Sequence, residues 1–128
     1  MPAIAVESKE EILAEIDLLG KKVSKLKESD FGMMLGGSIK KLKERSTAYL
    51  YYLKDRINRH NYIYDEVNKV KNKTAILTIM DNMKETIDKI LRRIDKIFRY
   101  SNLAEKAILT PILDDIARLK EKITAYFG

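Results

Sequence analysis

The hydrophobic pattern is most regular between residues 74 and 101, where it predicts a long helix with one apolar stripe. Apolar side chains alternate at steps of four and three residues, which is the heptad spacing of helices that pack side by side. The stripe, called the seam below, consists of Ile76, Met80, Met83, Ile87, Ile90, Ile94 and Ile97. A helix of this length extends about 40 Å. We therefore expect the seam to pack sideways against other helices, from this chain or from a second copy.

Three further helices are predicted on either side of this one. They cover residues 8–28, 38–60 and 110–126. Ser8 and Glu11 have the spacing of a capping box at the first helix start. Thr110 is a suitable N-cap for the last helix, and Pro111 suits its first helical position. Each of these segments carries its own apolar stripe, as a helix of a bundle requires.

Two stretches have a weaker pattern. Residues 61–73 contain scattered asparagines and predict a further helical piece with a bend or loop, and residues 103–109 predict either a loop or a short turn of helix. No stretch alternates with the period of a strand. The sequence thus predicts one all-α domain over residues 1–128. Its architecture is an elongated four-helix bundle with coiled-coil-like packing, with or without one short extra helix.

Residues 29–38 interrupt the helical pattern most clearly. Glycines at 32, 36 and 37 oppose a regular helix. Four large apolar side chains accompany them: Phe31, Met33, Met34 and Leu35. One interpretation is a tight connection tucked over the end of the bundle. The other is an adaptable patch for a partner, because methionine packs well against varied surfaces.

The distribution of charge along the chain says more about function than the overall composition does. The chain has 25 Lys and Arg against 19 Asp and Glu, and residues 38–73 hold ten of the basic groups but only four of the acidic ones. The second helix supplies seven cations for its predicted outer side: Lys40, Lys41, Lys43, Arg45, Lys54, Arg56 and Arg59. Tyr49, Tyr51 and Tyr52 cannot all face inward, so at least one ring should lie among them. This side is either a nucleic-acid or acidic-partner contact, or a solvated lysine-rich surface.

Residues for catalysis are scarce. His60 is the only histidine and there is no cysteine, so a histidine pair and thiolate metal sites are both excluded. We predict that the chain is not an enzyme and has no catalytic, cofactor-binding or metal-binding residues and no small-molecule substrate. No run of about 18 apolar residues encodes a membrane span, and a secretion signal is not expected at the start. The expected location is the cytoplasm.

Short segments along the chain carry a family resemblance. They are Leu26 to Glu28 with Asp30 and Phe31, then Arg93, Lys96 and Ile97, and finally Leu109, Thr110 and Pro111. In this order they resemble elements of the helical A-domain of archaeal GINS complex subunits. The resemblance implies a non-catalytic subunit that assembles with like chains and bridges replicative helicase partners. It also implies that the face with Arg93 and Lys96 takes part in subunit packing.

Two functional hypotheses follow from the sequence. The leading one is a helical assembly or scaffold subunit that acts through protein–protein contacts, as a homo-oligomer or as part of a complex, which the resemblance implies is of the archaeal replisome type. Its basis is the set of apolar seams without catalytic residues. The alternative is a nucleic-acid-binding or DNA-coating structural protein, viral or chromatin-like, that uses the basic side of residues 38–73. Attachment to acidic membranes has less support, because the cations do not oppose one uninterrupted apolar face.

Overall fold

Helices make up almost all of the structure. The computed structural model describes residues 7–97 and 103–128, and within these ranges it contains no β-strand. Its α-helices are α1 (Lys9–Ser24), α2 (Gly32–Arg59), α3 (Glu66–Ile97) and α4 (Leu103–Phe127). Short 3-10 helices at Glu28–Phe31 and His60–Tyr62 lie in the connections that precede α2 and α3. The predicted all-α fold with four main helices is confirmed.

The helices form an antiparallel ring. Each packs against its neighbours in sequence, and α1 also packs against α4. Opposite directions follow from the ion pairs, because the later residue of one helix pairs with the earlier residue of its neighbour. Lys22 pairs with Asp115 while Glu15 pairs with Lys122, and α3 and α4 show the same reversal. The bundle is therefore an up-down-up-down arrangement with α1 as its shortest helix.

The seam of α3 forms one side of the core. All of its members from Ile76 to Ile94 are at most 4% exposed, and Ile97 is half-buried against the same cluster. Stripes from the other three helices complete this cluster. The predicted sideways packing is thus confirmed, and the neighbours are helices of the same chain. A second copy would have to bind through other residues while this fold is intact.

The first helix is shorter than predicted. It ends at Ser24 rather than near residue 28, although Leu26 is still buried in the core. The Ser24 hydroxyl donates a hydrogen bond to the Lys21 carbonyl at 2.8 Å, a local bond that competes with the helical ladder. Lys27 is then extended, with φ −105° and ψ 123°. The predicted capping box at the other end is partly present, because the Ser8 side chain accepts a hydrogen bond from the Glu11 N–H.

The predicted break at residues 29–38 is confined to its first half. Gly32 has φ 75° and ψ 171°, a conformation available in practice only to glycine, and α2 begins at that point. Gly36 and Gly37 are inside α2, so the expectation that they oppose a helix is wrong. A Cβ at Gly36 would lie 3.6 Å from the Glu28 Cβ. The 3-10 turn therefore packs on α2 here, and such packing outweighs a weak local propensity.

The third helix starts earlier than predicted. Residues 60–65 form the 3-10 turn and a short extended link, and α3 begins at Glu66 rather than at residue 74. Asp65 supports this start, because its side chain accepts a hydrogen bond from the Val67 N–H at 3.3 Å. The helical piece and the bend predicted within residues 61–73 are thus the first turns of α3 and the link before them. The predicted end of this helix, near residue 101, lies outside the described residues.

The last helix also starts earlier than predicted. It begins at Leu103, so Thr110 is not its N-cap and Pro111 lies inside it. A proline there removes one backbone hydrogen bond and crowds the preceding turn. The apolar stripe nevertheless continues through Leu109 and Ile112, which are both buried. Packing of this stripe on the core keeps the chain helical on both sides of Pro111.

Candidate interaction surfaces

The cations predicted on α2 do not form one face. Lys43 donates a hydrogen bond from Nζ to the Leu26 carbonyl at 2.8 Å. Lys54 pairs with Asp17 at 2.7 Å. Both side chains therefore point towards α1 and the connection after it. They tie the first two helices together, which leaves them less available for a partner.

The two arginines at the end of α2 are exposed but engaged. Arg56 donates a hydrogen bond from Nη1 to Oδ1 of Asn72 on α3 at 3.3 Å. Arg59 pairs with Asp55 one turn earlier at 3.2 Å, and this pair is open to solvent. Exposed pairs of this kind contribute little to stability and exchange readily with other anions. Both guanidinium groups can therefore still meet a negatively charged partner.

The remaining cations, Lys40, Lys41 and Arg45, are exposed and have no ion pair within the described residues. Ser38 marks the side of α2 that faces α3, since it accepts a hydrogen bond from Arg93 of α3 at 2.8 Å. Lys41 and Arg45 follow Ser38 by three and seven residues, so they lie on the same side of α2, next to α3.

The third helix adds cations to that side. Lys89 and Lys96 lie four residues before and three residues after Arg93, so they share its side of α3. We call the resulting group the cationic surface; it consists of Lys41, Arg45, Lys89, Arg93 and Lys96, all exposed. Sequence reasoning found only the α2 half of this group. The signal for the other half was the spacing of the α3 cations, which becomes meaningful only once the two helices are known to be adjacent.

The charge of the bundle is unevenly distributed. Residues 32–97, which include α2 and α3, carry 15 Lys and Arg against 8 Asp and Glu. Residues 7–31 carry 5 against 7, and residues 103–128 carry 4 against 4. The α1–α4 side is not only more acidic but also internally paired: Asp115 accepts hydrogen bonds from Lys22 and Arg118. The pKa of Asp115 is lowered below its usual value, and the hydrogen bond from Lys22 is the main cause. The basic excess therefore belongs to the α2–α3 half.

Two tyrosines project from α2 as expected. Tyr51 and Tyr52 are 69% and 55% exposed, and their rings meet edge to face with centroids 5.8 Å apart. Tyr49, by contrast, is half-buried against the core. Tyr52 follows Arg45 by seven residues and precedes Arg56 by four, so it lies on the side of α2 that borders α3. An aromatic ring thus lies between exposed cations on that side.

An apolar group is exposed at the end of the bundle where α2 passes into α3. We call it the tyrosine–valine tip; it consists of Tyr62, Tyr64, Val67 and Val70, all at least 60% exposed. The sequence contains a signal for this exposure. The heptad register of the seam, continued backwards from Ile76, passes through Asn72 and Lys69 rather than through the valines. The valines therefore could not belong to the core stripe.

A buried polar network lies beneath this tip. Asn72, which is 6% exposed, donates a hydrogen bond from Nδ2 to the Arg56 carbonyl at 3.0 Å and contacts Nδ1 of His60 at 3.2 Å. The His60 ring meets the Phe127 ring edge to face, with centroids 4.4 Å apart. Burial, and then the positive charge of Lys69, lower the pKa of His60 below its usual value. This half-buried histidine joins α2, α3 and the end of α4.

The predicted partner patch at residues 31–35 is only half present. Phe31, in the connection before α2, and Leu35, within α2, are fully buried in the core, so they cannot contact a partner while the bundle is folded. Met33 and Met34 are exposed. The difference follows from helical geometry, because Leu35 falls on the inner stripe of α2 and the methionines on its outer side. The methionines lie at the opposite end of α2 from the tyrosine–valine tip.

Within 7–97 and 103–128, no three His, Cys, Asp or Glu side chains are grouped so that they could hold a metal ion. None of the helices there combines the length and the apolar character that a membrane crossing needs. What the geometry defines is an antiparallel four-helix bundle with a cationic surface and an apolar tip. Comparisons with protein-family models, curated proteins and solved structures found no match.

Proposed function

We propose that the protein is a non-catalytic helical assembly subunit that acts in the cytoplasm through protein–protein contacts, with further copies of itself or with other subunits of a complex. The tyrosine–valine tip carries this proposal. Tyrosine is enriched in protein interfaces, and grouped exposed apolar side chains mark interaction sites more often than single ones do. Two such tyrosines and two valines in water are difficult to explain by the stability of the bundle alone.

The resemblance to the helical A-domain of archaeal GINS subunits gives this proposal a more specific form. In that form the partners are helical chains of the same kind, within a replisome-type complex. The face with Arg93 and Lys96 would then pack against a neighbouring subunit. The exposure of both side chains is compatible with such packing.

Light scattering and affinity capture test the proposal. We expect the wild-type chain to form an oligomer or to capture a defined partner. The double substitution Tyr64→Ser and Val67→Ser should abolish that association, since it removes apolar area from the tip without touching the core. Leu18→Ser is the matched control, because Leu18 is an exposed apolar residue on α1, 57% accessible. A strictly monomeric chain that captures nothing would contradict the proposal.

Nucleic-acid binding is the second candidate function. The cationic surface favours it, because five exposed cations converge there from two helices. Binding that neutralises phosphates releases counterions, so the affinity should fall steeply with salt, by a slope of about 0.9 for each phosphate contact on a duplex. Lys41→Glu with Arg45→Glu should weaken binding strongly. The control Lys21→Glu with Lys25→Glu makes the same charge change at exposed positions of α1 and the turn after it, and should weaken it less.

A further inference from the structure

One side of α2 alternates cations with an aromatic ring along its length. Arg45, Tyr52 and Arg59 follow one another at intervals of seven residues, which places them on one side of the helix. At about 1.5 Å per residue, this row extends about 21 Å. Arg56 lies between the last two and, through its hydrogen bond to Asn72, borders α3. We call these four residues the arginine–tyrosine row.

The row continues into the cationic surface. Ser38 lies seven residues before Arg45 and holds the Arg93 guanidinium at 2.8 Å. Lys89 and Lys96 flank Arg93 on α3. A linear polyanion lying along the boundary between α2 and α3 would therefore meet cations along most of α2. The exposed carboxylates near this path include Glu85, which pairs with Lys89 at 3.6 Å.

From this arrangement we propose that the boundary between α2 and α3 binds single-stranded nucleic acid, with Tyr52 stacking on a base between Arg45 and Arg56. This inference rests on the second candidate function and specifies its site and ligand. Single strands bind to surfaces that combine cations along the backbone with aromatic rings on which bases stack. The bases of a duplex are already stacked on one another, so an exposed tyrosine ring on the protein adds nothing to duplex binding.

A membrane surface fits this boundary less well. Binding to acidic lipid by a helix requires a bulky apolar face that enters the lipid beside the cations. The exposed apolar groups of the described residues lie mainly at the ends of the bundle, as Met33 and Met34 and as the tyrosine–valine tip. Between those ends, this boundary offers the phenol ring of Tyr52 and polar groups such as Thr78 and Asn82.

Titrations of the chain by fluorescence anisotropy test the proposal. The probes are a labelled single-stranded DNA of mixed sequence, the same sequence as a duplex, and vesicles containing phosphatidylserine. We expect the single strand to bind most tightly. Tyr52→Ala should weaken single-strand binding about tenfold or more and leave duplex binding unchanged. Tyr52→Phe, which keeps the ring, should bind as wild type does.

Two further variants separate stacking from charge. Arg45→Glu should weaken binding to the single strand and to the duplex alike, whereas Lys21→Glu, the same kind of charge reversal at an exposed position of α1, should weaken binding much less. Circular dichroism of each variant checks that the bundle is folded. If neither Tyr52→Ala nor Arg45→Glu weakened the binding of single strands, this inference would be wrong. The proposal that the protein binds nucleic acid would still stand. Tighter binding to the duplex or to the vesicles would also overturn this inference, and no binding to either nucleic acid would remove the second candidate function altogether.

Discussion

The side-chain amide of Asn72 favours the neutral form of His60. Its Nδ2 donates to the Arg56 carbonyl at 3.0 Å, and its Oδ1 accepts from the Arg56 guanidinium at 3.3 Å, so the amide has only one sensible orientation. The same Nδ2 lies 3.2 Å from Nδ1 of His60. Because an amide nitrogen can only donate, this contact favours Nδ1 as the acceptor and hence the neutral imidazole with its proton on Nε2.

Protonation of His60 should therefore loosen the end of the bundle. The pKa of His60 is lowered below 6.5, chiefly by burial and by Lys69, with Lys73 acting in the same direction and Glu66 against it. The unfolded chain then binds the proton at a higher pH than the folded chain does. The contribution of His60 to stability is complete above about pH 6.5 and is lost as the pH falls from there towards the lowered pKa.

Urea unfolding between pH 7.5 and 5 measures this effect. The free energy of unfolding should decrease towards the acid side, with a slope of at most about 1.4 kcal/mol per pH unit from this one group. The variant His60→Gln supplies the comparison, since it has no titratable ring at this position. An equal decrease in that variant would mean that carboxylates, not His60, cause the pH dependence.

Glycine substitutions should have opposite effects at two nearby positions. Gly37 lies within α2, and a Cβ there would have nothing within 4 Å. Gly37→Ala should therefore stabilise the protein by about 0.5–1 kcal/mol, the gain in helix propensity. Gly32 has φ 75° and ψ 171°, so Gly32→Ala should destabilise it by about 1–3 kcal/mol.

Thermal unfolding of the two alanine variants, side by side, checks these expectations. Melting temperatures that shift in opposite directions are the predicted result. If Gly32→Ala were neutral, the left-handed conformation would not be needed at the start of α2. If Gly37→Ala were destabilising, that position would not be helical.

Replacement of Pro111 distinguishes the observed α4 from the helix that the sequence predicted. As an interior residue of α4, Pro111 lacks a hydrogen bond that alanine would make, so Pro111→Ala should stabilise the protein by up to about 3 kcal/mol. If Pro111 occupied the first helical position instead, the same substitution would leave the free energy of unfolding almost unchanged. The midpoint of urea unfolding, at an unchanged slope, measures the difference. Thr110→Ala should stabilise slightly, by up to about 0.7 kcal/mol, because Thr110 is an exposed helical residue and not a cap.

These cases indicate how far local sequence determines this fold. The seam could be predicted because its heptad spacing is repeated from Ile76 to Ile97 and depends only on neighbouring residues. The starts of α2 at Gly32 and of α4 at Leu103 could not be predicted, because packing of distant segments outweighs the propensity of a single residue. The cationic surface could not be predicted from the sequence for a similar reason. Ser38 and Arg93, which join its two halves, are 55 residues apart.

The tyrosine–valine tip shows a different limit of what can be predicted from the sequence. Its valines could have been assigned to the surface from the register of the seam, but its tyrosines could not, because no periodic pattern covers the link between Tyr62 and Tyr64. Their exposure depends on how closely α2 and α3 approach each other at that end. The buried position of Asn72, an unusual residue for a core stripe, depends equally on the partners it finds on α2.

Truncation of the seam tests whether its packing is confined to one chain. Met83 is 1% exposed, and Met83→Ala should lower the free energy of unfolding by about 2–5 kcal/mol, because it leaves a cavity between helices. Ile97→Ala, at the half-buried end of the same stripe, is the matched control and should cost less. The loss for Met83→Ala should be the same across about a hundredfold range of protein concentration, since only an interface between chains makes stability depend on concentration. A loss that grows on dilution would mean that the seam also packs between copies.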